Sequence, residues 1–193
     1  MATLDVGDQA PDFELETDAG AKLRLSSLRG STVVLFFYPK DDTPGCTLEA
    51  RGFSLAADRF AAAGVKVVGV SRDSVASHCR FRDKYALKVP LASDASLDVH
   101  RAYGVWGKKI MYGREVEGTV RSTFVIDPEG KLIAAHRGVK VDGHVSALLA
   151  KHAPDATPLG ELPAAPAKAD KPAAKKAAAK SATAKKTAAR KKA

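Results

Sequence analysis

The chain has 193 residues, 45% of them hydrophobic, with two cysteines and a net charge of +9. That length supports a real core, while two cysteines exclude a disulfide scaffold and agree with a reducing compartment. Met1 to Leu15 holds no basic region followed by an apolar core, and no apolar stretch approaches bilayer length, so a soluble, cytoplasmic chain is expected. The first elements are two short alternating runs, Phe13 to Glu16 and Lys22 to Leu25. They flank Asp18-Ala19-Gly20 and predict a hairpin. Val33 to Phe37 is apolar without interruption, which predicts a strand covered on both faces over 32–38. A helix over 46–63 follows, its band drawn from Leu48, Phe53, Leu55, Ala56, Phe60 and Ala63. Next come a strand over 65–71, a helix over 75–86, a short strand near Leu91 and a helix around Leu97 to Tyr103. Residues 108–121 show no clear period and are expected to be loop. Strands Thr123 to Ile126 and Leu132 to His136, joined by Pro128-Glu129-Gly130, precede a helix from Gly143 to His152. Alternating strands and helices predict an α/β domain with a largely parallel sheet and an antiparallel hairpin.

The junction between the first long strand and its helix carries the chemistry. Pro39 ends the strand by removing a ladder donor. Thr43-Pro44 is a helix start, with Thr43 as N-cap and Pro44 at the first helical position. Cys46 then falls in the first turn, beside unpaired N–H groups and the positive end of the helix dipole, which favours thiolate over thiol and should lower its pKa. The residues also permit a plain buried cysteine. Gly45 is compatible with either a helix start or a turn.

Pro39-x-x-x-Thr43-x-x-Cys46 resembles the active-site motif of the peroxiredoxins, the thiol peroxidases. The longer string Asp42-Thr43-Pro44-Gly45-Cys46-Thr47-x-Glu49 is similar to the subgroup called bacterioferritin comigratory protein, or peroxiredoxin Q. Gly69 to Asp73, Tyr103 to Gly107 and Arg121 to Asp127 continue the likeness in order, and it covers about residues 3–153. The resemblance implies a thioredoxin fold, a central mixed sheet flanked by helices, with an N-terminal β-hairpin and a helical insertion. It implies that Cys46 attacks a hydroperoxide and becomes a sulfenic acid. Thr43 then supplies a hydroxyl, Arg121 a guanidinium for both sulfur and peroxide, and Pro39 a shield from bulk water. The N–H groups of Gly45 and Cys46 are expected to complete the pocket, with Phe37 and Trp106 as apolar neighbours that would accommodate alkyl groups. On the residues alone, Arg121 is equally an exposed ion-pair partner for Glu115 or Glu117.

A sulfenic acid must be cleared before a second oxidation. Many members of the subgroup carry a resolving cysteine five residues after the first, where this chain has Arg51. Others place it on the helix that here holds Cys79, about one turn further on, near Arg82. The resemblance therefore makes Cys79 the candidate resolving thiol, against an inert cysteine and a one-cysteine mechanism with an external thiol. If the pair forms, the first turns around Cys46 must partly unwind. The resemblance further implies thioredoxin or a similar thiol reductant as partner, and a monomer. His78, His100, His136, His144 and His152 are scattered without zinc spacing, and no phosphate loop or dinucleotide fingerprint occurs, so no metal and no cofactor is expected.

Near Pro154 the composition changes. Residues 154–193 hold ten basic and three acidic side chains, +7 of the chain's +9. No aromatic or large aliphatic residue follows Leu162, so this tail is expected to be disordered, leaving residues 1–153 as the folded domain. Its composition resembles linker-histone-like tails. It suits sequence-independent attraction to nucleic-acid phosphates, and hence a nucleoid-associated location, without any means of reading bases. A solubilising role, or a membrane or RNA surface, fits the same composition. A thioredoxin-type oxidoreductase is disfavoured because Cys46 lacks a second cysteine three positions away. A nucleic-acid-binding protein with an incidental globular part stays open.

Overall fold

The computed structural model describes residues 4–111 and 114–154; the basic tail beyond Pro154 lies outside the described residues. Nine strands and four α-helices are ordered β1 Glu14–Thr17, β2 Lys22–Arg24, β3 Thr32–Phe37, α1 Pro44–Ala62, β4 Val65–Ser71, α2 Val75–Tyr85, β5 Leu91–Ser93, α3 Asp98–Ala102, β6 Trp106–Met111, β7 Arg114–Thr119, β8 Ser122–Ile126, β9 Leu132–Arg137 and α4 His144–His152 among those residues. Seven strands form one sheet in the order β2-β1-β5-β4-β3-β8-β9. β3, β4 and β5 run parallel, while β8 and β9 on one side and the β1–β2 hairpin on the other are antiparallel.

The uninterrupted apolar run in β3 has its expected cause: both faces are covered. Alternate side chains go to opposite faces. Val34, Phe36 and Tyr38 join a cluster with α1, Phe81 of α2 and Leu148 and Leu149 of α4. Val33, Leu35 and Phe37 join a second cluster with Phe13, Leu25, Val99 and Tyr103. Gly69 in β4 makes room within the first cluster, since a Cβ there would lie 2.6 Å from the Phe36 ring, which itself stacks on Phe53. α1 buries Cys46, Ala50, Phe53, Ala56 and Phe60, a stripe at helical spacing. Leu55, expected in that band, is exposed because it sits about 100° around the helix from Ala56.

One expectation is overturned outright. Residues 108–121 are mostly a β-ribbon, with β6 and β7 paired from Trp106↔Thr119 to Met111↔Arg114. The ribbon stands apart from the main sheet. Its partner is itself, so it needs no apolar face toward the core and shows no hydrophobic period. Exposed Lys108 and Glu115 pair across it at 2.8 Å.

Candidate active site

β3 ends at Phe37 on the C-terminal edge of the parallel strands, and residues 38–43 turn the chain into α1. Thr43 takes the extended N-cap conformation (φ −101°, ψ 150°), and Pro44 fits the first helical position because its fixed φ suits the helix and its absent N–H leaves nothing unpaired. The first helical bond runs from the Thr47 N–H to the Thr43 carbonyl at 2.8 Å. Cys46 is therefore in the first turn as expected, where N–H groups lack intrahelical partners. It is only 2% exposed. The Thr43 side chain does not cap; its hydroxyl donates to the Lys40 carbonyl at 3.0 Å, which tightens the loop instead.

Arg121 lies between β7 and β8, and β8 pairs with β3 so that Ser122 sits opposite Phe37. This register brings the guanidinium over α1. Nη2 donates to Cys46 Sγ at 3.2 Å, and Nη1 donates to Glu49 Oε2. A Cβ on Gly45 would lie 3.4 Å from Nη2, so glycine leaves the guanidinium its approach. The alternative of a surface pair with Glu115 or Glu117 does not hold. Arg121 is largely buried and its carboxylate partner is Glu49, which is fully buried. Burial opposes the charge on Arg121, but Glu49 and Cys46 outweigh it and raise its pKa. Burial likewise pushes the Glu49 carboxyl up, to about 7, against the opposing pull of Arg121.

With the cysteine, the guanidinium and the helix start placed, comparison with known proteins identifies the family. The AhpC/TSA family model matches residues 6–135. A putative peroxiredoxin bcp of Coxiella burnetii is 46% identical over 149 residues, covering 77% of this chain and 99% of that protein. The peroxiredoxin Bcp of Bacillus subtilis is 44% identical over 147 residues, covering 76% and 94%. A mutant of Xylella fastidiosa PrxQ superposes with a TM-score of 0.74 at 37% identity, over 78% of this chain and 96% of that one. The bacterioferritin comigratory protein of Xanthomonas campestris, studied for alkyl peroxide reduction, gives 0.72 at 41%, over 81% and 100%. The chain belongs to the AhpC/TSA family. Within it, it is a peroxiredoxin of the Bcp/peroxiredoxin Q type with the thioredoxin-like fold, and its chemistry is that of a thiol peroxidase.

Two site residues of this peroxiredoxin escaped the sequence. Glu49 closes the motif string, and its spacing of three from Cys46 puts both on one helix face. That signal was available, but only Arg121's position shows that the carboxylate orients the guanidinium. Glu49 Oε1 has no hydrogen-bond partner among the described residues. His144, at the start of α4, bonds Thr123 Oγ1 at 2.9 Å. Burial, then the charges of His136 and Arg121, lower its pKa to about 4, so near neutrality it adds no cation beside the site.

Other expectations need correction. Phe37 is fully buried on the face opposite Cys46, with its ring against His100, Tyr103 and Phe124. The period of two in β3 puts Phe36 and Tyr38, not Phe37, on the Cys46 side. Trp106 also packs away from the sulfur, near His100 and under the Arg72 guanidinium. Pro39 sits in the loop as expected, half-buried. Both cysteines are free. Cys79 lies on α2, partly exposed, and its Sγ donates to the Asp18 carbonyl at 3.1 Å. Arg82 Nη1 reaches that same carbonyl at 2.8 Å, so positions 79 and 82 occupy one stretch of helix surface. The structure does not bring Cys79 into contact with Cys46.

Proposed function

We propose that residues 1–153 are the catalytic domain and that it reduces hydrogen peroxide and organic hydroperoxides through Cys46. The Cys46 thiolate attacks the terminal oxygen of the hydroperoxide. The S–O bond forms as the O–O bond breaks, leaving a sulfenic acid and an alkoxide or hydroxide that takes up a proton to give alcohol or water. Charge developing along O–O is met by donors already in place, Arg121 and the free N–H groups of the α1 first turn at Gly45 and Cys46; the Thr43 hydroxyl joins them when it turns from the Lys40 carbonyl to the peroxide. Pro39 screens the sulfur. The observation that carries this reading is the 3.2 Å contact of Arg121 Nη2 with Cys46 Sγ at a helix N-terminus. Measuring peroxide consumption tests it: Cys46→Ser should lose turnover by at least a thousandfold, and activity surviving that change would reject the reading.

The sulfenic acid is then cleared by Cys79, whose thiolate attacks the Cys46 sulfur, forms a disulfide and releases water, and thioredoxin or a similar dithiol reduces the bridge. Two observations support this: α2, which carries Cys79, sends Phe81 into the cluster that holds Cys46, and Cys79 shares the Asp18 carbonyl with Arg82. A one-cysteine cycle with an external thiol is the second reading, favoured by the bond that already occupies Cys79. The enzyme works as a monomer in the cytoplasm, and residues 154–193 tether it to nucleic-acid phosphates. The tail's charge supports tethering. DNA retention across a salt series tests it, and equal retention by the full chain and by a version ending at Ala153 would end the idea.

A further inference from the structure

Cys46 is almost wholly buried, yet any thiol that reduces its oxidised form must reach the sulfur. The first turn of α1 therefore has to open, and something must hold it shut meanwhile. The turn itself has little grip. Lys40, Asp42 and Pro44 are exposed, and Asp42 sits at φ +54°, a conformation unfavourable for a residue other than glycine. Arg121 holds Cys46 and Glu49 from above and Thr43 ties back to Lys40, but the grip on Asp41 and Asp42 comes from α2. Asp41 is the one buried side chain of residues 40–44. Its carboxylate takes the Tyr38 phenol at 2.8 Å and His78 Nδ1 at 2.9 Å, and both partners are fully buried. Burial, then Asp41, push the Tyr38 phenol up, so it stays a donor. The Asp41 N–H donates to Asp73 at 2.7 Å, just ahead of α2. At the far end of α2, Lys84 and Tyr85 bond the Asp42 carboxylate at 2.7 and 2.6 Å. Two successive loop residues are thus pinned by the two ends of one helix.

We propose that α2 is the latch of the Cys46 helix: the His78–Asp41–Tyr38 cluster and the Asp42 pairing with Lys84 and Tyr85 hold the loop, and through it the first turn of α1, in the position where Cys46 meets Arg121. This rests on Cys46 being the reactive thiol. His78, Lys84 and Tyr85 are positioning residues; none touches the sulfur among the described contacts. Breaking the buried contact leaves a carboxylate short of a donor, which outweighs what the contact itself contributes. The exposed contacts weigh less each but act on the strained residue. Because α2 also carries Cys79, the element that supplies the second thiol is the one that restrains the first.

Amide hydrogen exchange of the full chain tests the latch without reference to peroxide. In Lys84→Met with Tyr85→Phe, and in His78→Leu, exchange at Thr47 to Ala50 should rise about tenfold, the change expected from losing about one net hydrogen bond. Exchange at Phe60 to Ala62 should stay within twofold. His78→Asn keeps a donor near the Nδ1 position and should restore the first turn to within twofold of wild type. In single-turnover experiments the opened variants should react with hydrogen peroxide several-fold more slowly. Uniform acceleration along α1, unchanged exchange at the first turn, or His78→Asn as open as His78→Leu would each overturn the proposal. If His78→Leu fails to fold, the surface pair on α2 decides. Loss of peroxidase activity in Cys46→Ser is read independently, so failure of the latch leaves the assignment of Cys46 standing.

Discussion

The two cysteines sit on neighbouring helices over the same sheet face and are treated in opposite ways. Cys46 is buried in the first turn of α1, and its sulfur accepts from a guanidinium. Cys79 is in the second turn of α2, partly exposed, and its sulfur donates to a carbonyl. The first contact favours a sulfur that carries negative charge. The second can be made only by a thiol that still holds its proton. Position along the helix decides which: donors are unpaired at the start of a helix, whereas further along the backbone is closed and the sulfur must look outward. On the proposed mechanism, reactivity toward oxidants follows the local supply of donors rather than exposure, because the less exposed sulfur is the one that meets a guanidinium.

Removing the guanidinium is the sharpest way to break that contrast. Arg121→Ala should slow oxidation of Cys46 in single turnover by roughly 100- to 1000-fold, the usual loss for a prepositioned donor in a shielded site. Alkylation of Cys79 should not change. A loss below tenfold in stopped-flow measurements would mean that the helix N-terminus suffices. A smaller effect is expected from Cys79→Ser. Steady turnover with a dithiol reductant should fall about tenfold while the single-turnover step with peroxide stays within twofold. Nonreducing mass spectrometry after one equivalent of peroxide should show the Cys46–Cys79 link in wild type and a sulfenic acid in the variant. Full turnover by Cys79→Ser would assign clearance to an external thiol.

A further effect falls on stability rather than on rate. Burial raises the Glu49 carboxyl from 4.5 in the unfolded chain to about 7 in the folded one. Between these values the folded state binds the extra proton, so Glu49 lowers stability as pH rises through that window and adds nothing further above it. Denaturant titrations of wild type and Glu49→Gln at pH 4.5 and pH 7.5 isolate the term. The wild type should lose on the order of 2 to 3 kcal/mol relative to the variant over that span. Parallel curves would show that Arg121 keeps Glu49 charged throughout.

The sequence by itself determined the ladder of β3, α1, β4 and α2, because uninterrupted apolar strands and a helical stripe are local patterns. It also determined that Cys46 starts a helix, since Thr43-Pro44 fixes the backbone there. The tertiary structure decided the rest. The β6–β7 ribbon satisfies its backbone by self-pairing and needs no hydrophobic period, so nothing along the chain marks it. Phe37 was placed beside the sulfur by its position in the chain, yet the alternation of β3 sends its ring to the opposite face. Arg121 comes from 72 residues away and finds Glu49 through the pairing of β8 with β3. Which carboxylate a cation meets depends on strand register, and register is a property of two distant segments meeting, not of either one read alone.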